Sequence, residues 1–172
     1  MKRIYLTQDQ VTLVDDEDYE WLNQWKWNAH YQLCNKSYYA ERNKPIAGGK
    51  YRTSLMHREV LGLGFGDKRQ GDHIHHNTLD NRRSQLRIVT HQQNQWNVKG
   101  VKGYSFHKRS NVFQAEIVAS GKQIYLGSYN TPKEASDAYV EAKKKYHLFP
   151  KPDENSLKPE KNKAIFRHKP LF

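Results

Sequence analysis

The stretch from residue 100 to residue 149 constrains the fold more than any other part of this chain. Three segments, GYSFHKRS, NVFQAEIV and KQIYLGSY, have β character and are joined by the turn signals Ser110-Asn111 and Ser120-Gly121. Side chains alternate across a strand, so Phe113, Ala115 and Ile117 face one way and Gln114, Glu116 and Val118 the other. Thr131-Pro132-Lys133-Glu134 then predicts a helix start, with a capping Thr, Pro in the first turn and Glu at the third position. Ala135, Ala138, Tyr139, Ala142 and Tyr146 recur at helical spacing, and Lys143–Lys145 suit the negative end of the dipole. The three alanines let that helix lie close against a sheet. The expected unit is a three-stranded sheet with one helix on one face and its other face free.

Charge narrows the partner. The 172 residues hold 29 Lys and Arg against 18 Asp and Glu, a net charge of +11. Five of the acids cluster at Asp15, Asp16, Glu17, Asp18 and Glu20; beyond residue 20 the balance is 27 basic to 12 acidic, or +15. Such an excess is drawn to polyanions, and nucleic acid is the default partner. Solubility alone is the plainer alternative, but four Trp, eleven Tyr and six Phe need a packed structure. No apolar run approaches the ~20 residues of a membrane span, and MKRIYLTQDQ lacks a signal-peptide core. Cys34 stands alone, which excludes an internal disulfide and a Cys-rich zinc site. The expectation is a soluble, cytoplasmic protein without membrane contact, built on small cores.

Upstream, residues 1–70 alternate aromatic and polar side chains. DDEDYEWLNQW predicts a short helix capped by Asp15 or Asp16, with Tyr19, Leu22 and Trp25 on its inner face. Trp27, Tyr31, Leu33, Tyr38 and Tyr39 suggest short strands, and residues 54–61 a second short helix ended by Gly62 and Gly64. Residues 71–99 read as strand (72–75), turn-rich loop, strand (86–89) and a helix entered through a capping box at Thr90 and Gln93. From Pro150 the chain is a basic, Pro/Lys-rich tail.

Asp72, His73 and Asn94 are the residues with chemistry in them. Hydrolysis of a phosphodiester needs a base for the water proton, and His is poised for that near neutral pH. It also needs a hard cation at the phosphate and the departing oxygen, and a carboxylate with an amide carbonyl suits magnesium. Adjacent residues in a regular strand point to opposite faces, so Asp72 and His73 share a site only if the strand twists or ends there. Gly71 would allow such a distortion.

The wording around these residues, DHIHHNTLDNRRSQLRIVTHQQNQWN, resembles the HNH (ββα-metal) endonuclease family. Asp72-His73 match its opening pair, Asn77 and Asp80-Asn81 its loop, Leu86-Arg87 and Asn94 the remainder; Met56-His57-Arg58 is similar to a segment these enzymes often carry upstream. The resemblance implies His73 as general base and Asp72 and Asn94 as ligands of Mg2+ or another divalent cation such as Mn2+. Gln85 stands where the family has Asn or His to tie down the loop, and is expected to assist catalysis in that way. Arg58, Arg82, Arg83 and Arg87 are the cations expected to meet DNA around this site.

Residues 100–149 resemble the plant ethylene-response-factor (APETALA-type) DNA-binding domain through Ala115-Glu116-Ile117, Tyr125-Leu126-Gly127, Thr131 and Ala138-Tyr139. By position, the contact residues would be Lys102, Ser105, His107, Glu116, Val118, Gln123 and Tyr125, with Lys108 and Arg109 in the hairpin turn touching phosphates. Together the resemblances imply an α+β protein of three parts. Residues 1–99 would form a nuclease domain on an N-terminal scaffold, 100–149 a sheet-plus-helix domain that locates the site, and 150–172 the tail. The implied activity is a site-specific double-stranded DNA endonuclease of homing type, from a phage or bacterial cell, nicking as a monomer and breaking both strands either as a homodimer or in two events. The alternative is a repressor or accessory factor that keeps the fold without the activity; RNA binding ranks last.

Overall fold

The computed structural model describes residues 1–150; nearly all of the expected tail lies outside the described residues. The protein is α+β, with several small antiparallel sheets and four helices. It divides into two compact units, Met1–Ile88 and Val89–Pro150.

In the first unit, β1 (Lys2–Tyr5) pairs antiparallel with β2 (Val11–Val14). Helix α1 (Asp16–Asn23) follows, its first turn acidic where the dipole is positive. A meander of β3 (Asn28–Gln32), β4 (Ser37–Ile46) and β5 (Lys50–Leu55) comes next, the β4–β5 turn using Gly48 and Gly49 at φ 78° and 70°. Helix α2 (Met56–Val60) leads through a loop to β6 (Gln70–His73), which forms a two-stranded sheet with β7 (Leu86–Val89). Ile4, Val14, Leu22, Trp27, Ala40, Met56, Val60 and Leu86 belong to the one core under these elements. Burying each large apolar side chain contributes about 1.5–3 kcal/mol.

Two apolar side chains, Trp25 and Leu33, lie elsewhere than expected. Trp25 is 45% exposed rather than on the inner face of α1, because the helix ends at Asn23 and the helical period ends with it. Trp27 takes the core position and donates its indole N–H to the Leu22 carbonyl at 2.9 Å. Leu33 is 83% exposed, in the turn between β3 and β4. The strands β1 and β2, which the sequence reading passes over, pair through short, unremarkable tetrapeptides.

In the second unit, α3 (His91–Trp96) opens on the expected capping box, the Thr90 hydroxyl accepting from the Gln93 backbone. Strands β8 (Tyr104–His107), β9 (Val112–Ala119) and β10 (Lys122–Tyr129) form an antiparallel meander. Ser120 and Gly121, both at positive φ, make the β9–β10 turn. Helix α4 (Pro132–Tyr146) starts at the Thr131–Glu134 box and packs Ala135, Tyr139 and Ala142 inward, against a sheet face holding Ala115 and Ile117. The two compact units meet between Ile88 and Val89, so that α3 belongs with the second. The reason lies in α3: the Trp96 indole stacks on His147 at 4.4 Å and 3°, and Gln93 donates to the Leu148 carbonyl.

Candidate functional site

Strand β6 ends at His73, and the chain turns at once, with the His76 amide donating to the His73 carbonyl and His76 itself at φ 61°. The regular alternation of the strand therefore ends at His73. Both side chains are buried, at 7% and 6% exposure. Gly71 is required by packing: a Cβ there would sit 2.7 Å from the His57 ring and 2.9 Å from Leu61. That vacancy lets His57 reach His73, ring against ring edge-on at 4.9 Å, with Tyr39 about 6 Å from both.

A hydrogen-bond chain fixes the His73 ring. The Thr12 hydroxyl donates its single proton to the Leu79 carbonyl at 2.7 Å, so it can only accept from the Asn81 side-chain N–H2, also at 2.7 Å. The amide is thereby oriented, and Asn81 Oδ1 faces His73 Nε2 at 3.3 Å. In the neutral imidazole Nε2 must then carry the proton, which makes Nδ1 the basic nitrogen. Burial holds the His73 pKa below 6.5, partly offset by the Asn81 hydrogen bond and by the Asp72 and Asp80 carboxylates. His57, buried beside His73 and Arg58, is held well below 6.5. The site thus keeps a neutral imidazole at neutral pH.

Asp72 is held by Arg87, whose Nε and Nη2 lie 2.8 and 2.7 Å from Oδ2. A partner of this kind orients a carboxylate and satisfies its oxygen in a buried place. Asn94 sits half-buried in the second turn of α3, in the other unit. Among the described residues no three His, Cys, Asp or Glu side chains converge as a cage. A carboxylate and an amide carbonyl, the donor types expected at these two positions, are hard oxygens of the kind magnesium and manganese take.

The remaining expected residues fall into two groups. Gln85 closes the short 3-10 turn Arg83–Gln85, and its backbone carbonyl accepts from the Ile74 amide at 2.9 Å. Its side chain makes no hydrogen bond among the described residues; Asn81 and Thr12 tie the loop instead. The four arginines expected to meet a partner are engaged within the protein. Arg58 donates to the carbonyls of Gly64, Asp67 and Arg69, Arg82 grips Asp80, Arg83 grips Asp18, and Arg87 grips Asp72.

In the second unit the strand pairing opposes Tyr125 to Glu116, Gln123 to Val118, Ser105 to Gln114 and His107 to Val112. Opposed residues share a face, so Ser105, His107, Glu116, Val118, Gln123 and Tyr125 lie on the sheet face away from α4, all exposed. Lys102 precedes β8, and Lys108 and Arg109 are exposed in the β8–β9 turn.

Thr12 and His57 are site residues that the sequence reading gave no part in the chemistry. Thr12 carries a faint signal, a hydroxyl on the same strand face as the core residue Val14; His57 carries only its place in the Met56-His57-Arg58 segment. The chain matches no protein-family model, no curated protein and no solved structure.

Proposed function

We propose that the protein is a metal-dependent DNA endonuclease of the HNH type. The observation that carries this reading is the His73 imidazole, kept neutral by burial and set in one tautomer by Asn81 and Thr12, next in sequence to an Asp72 whose carboxylate Arg87 orients. His73 Nδ1 takes a proton from water, the water oxygen forms a bond to phosphorus, and the bond to the 3′ oxygen breaks. Asp72 and Asn94 would hold the Mg2+ or Mn2+, which when bound supplies positive charge at the scissile phosphate and the departing oxygen. Arg87 fixes the carboxylate, and His57 and Tyr39 confine the imidazole ring.

Site choice on double-stranded DNA falls to the free sheet face of the second unit, through Ser105, His107, Glu116, Val118, Gln123 and Tyr125, with Lys102, Lys108 and Arg109 on phosphates. One such site cuts one strand, so a double-strand break takes two protomers or two events. The rival reading, a repressor or accessory factor, predicts DNA binding without cleavage. Supercoiled plasmid incubated with the protein and Mg2+ separates them. We expect conversion to open circle, reduced about 10²–10⁴-fold in His73→Ala with DNA binding retained; equal activity, or none, in both proteins rejects the endonuclease.

A further inference from the structure

The first unit carries a second cationic feature, on β5 and the loop between α2 and β6. There a groove of about 430 Å3 is lined by Arg52 and Arg58 together with Leu63–Gln70, so that four cations (Arg52, Arg58, Lys68, Arg69) meet one carboxylate, Asp67. That carboxylate is already used. Arg69 grips both its oxygens, at 2.7 Å for the shortest contact, and holds the carboxyl at a pKa of about 2. Arg58 is used as well: its three bonds to the carbonyls of Gly64, Asp67 and Arg69 make it the hub that shapes the loop. Arg52 and Lys68 are left, exposed and without an ion pair among the described residues. The Arg52 guanidinium lies over the half-exposed Phe65 ring at 5.0 Å, which orients it without neutralising it.

Strand pairing adds an independent sign. Arg52 stands directly opposite Lys44 across β4 and β5. Like charges placed so are destabilising, and the Glu59 carboxylate that meets Lys44 at 3.4 Å is shared with Arg42 at 2.7 Å. A rigid groove with unneutralised donors, and no carboxylate left to read a donor on the ligand, fits an acceptor-only polyanion.

We propose that this groove seats the phosphate backbone of double-stranded DNA outside the His73 site, with Arg52 and Lys68 as the contacts and Arg58 as the residue that builds their loop. The inference rests on the DNA reading above, and its test is separable from cleavage. Affinity of the full-length protein for a labelled duplex is measured in EDTA over a series of KCl concentrations. Each lost phosphate contact lowers the slope of log affinity against log salt by about 0.9, so Arg52→Ala/Lys68→Ala should lower it by about 1.8. Lys26→Ala/Lys36→Ala removes the same charge from exposed positions elsewhere in the unit and should leave the slope nearly unchanged. All four side chains are exposed, and unchanged thermal unfolding verifies the fold. A wild-type slope in the groove variant, or an equal drop in the control, overturns the groove while leaving DNA binding intact. An equal loss of affinity for poly-glutamate reassigns the groove to acidic proteins and overturns it too. Absence of duplex binding by the wild type sinks the DNA reading itself.

Discussion

Arg83 separates a structural from a partner-binding role most sharply. Its Nε and Nη2 each lie 2.7 Å from an oxygen of Asp18, a carboxylate with no solvent exposure, and its backbone amide donates to Asp15 at 2.8 Å. In Arg83→Met the methionine fills the space, but Asp18 keeps only the Trp21 indole N–H at 3.0 Å. Leaving a buried charge unpaired costs about 3–5 kcal/mol. Asp18→Leu should cost less, because Arg83 is 14% exposed at its side chain and can turn its head to water. The double variant removes both charges and should recover about 2 kcal/mol or more against the sum of the singles. Urea unfolding read by tryptophan fluorescence measures this, since Trp21, Trp25 and Trp27 all lie in the first unit. With a urea slope of about 1.5 kcal/mol per molar, the Arg83→Met midpoint should fall by about 2–3 M. An unchanged midpoint together with lost DNA affinity would refute the structural assignment and return Arg83 to the DNA interface.

Two further outcomes follow from burial and backbone. Unfolded histidines titrate near pH 6.5, while His57 and His73 in the fold titrate lower; between those values the unfolded chain binds more protons. First-unit stability should therefore be complete above pH 6.5 and fall as the pH drops towards the folded values, and His57→Phe should flatten that acid loss in fluorescence-monitored unfolding. In the second unit, Gly103 and Gly121 have nearly equal φ, 71° and 73°, but an added Cβ meets the Tyr139 ring at 1.9 Å in the first and nothing in the second. Gly121→Ala should cost about 1–3 kcal/mol of backbone strain, and Gly103→Ala about 1–3 more for the clash. Hydrogen exchange in β9 measures both, and equal losses would contradict the Tyr139 contact.

The second unit is the more legible in the sequence because its signals are local. A capping box, a two-residue turn and a period-two strand are each decided by neighbours a few residues apart, and Thr131, Ser120-Gly121 and the Ala115/Ile117 face all lie where that logic puts them. Local logic also misleads in places. Asp15 stands at the cap position of α1 but gives its carboxylate to the Arg83 backbone instead of to its own helix. Helix α3 joins the second unit through the stack of Trp96 on His147, a pairing with no local trace. Thr12 escaped for the same reason: its bond to Asn81 spans 69 residues, and nothing in VTLV announces that its threonine will reach the turn after β6.

That long-range tie reaches into how the polypeptide can be rearranged. Beside the Thr12–Asn81 bond, the Leu13 amide donates to the Leu79 carbonyl, the Asn81 amide donates to the Leu13 carbonyl, and Leu13 bridges Asp80 in parallel. The loop that seats the imidazole is in effect laced to the opening hairpin. A cassette excised from residues 70–99 and spliced into a foreign protein would arrive without its lacing and leave the amide of Asn81 to swivel. The smallest transplantable block begins ahead of β1, and during synthesis the imidazole finds its setting only after the eighty-first residue has met the twelfth.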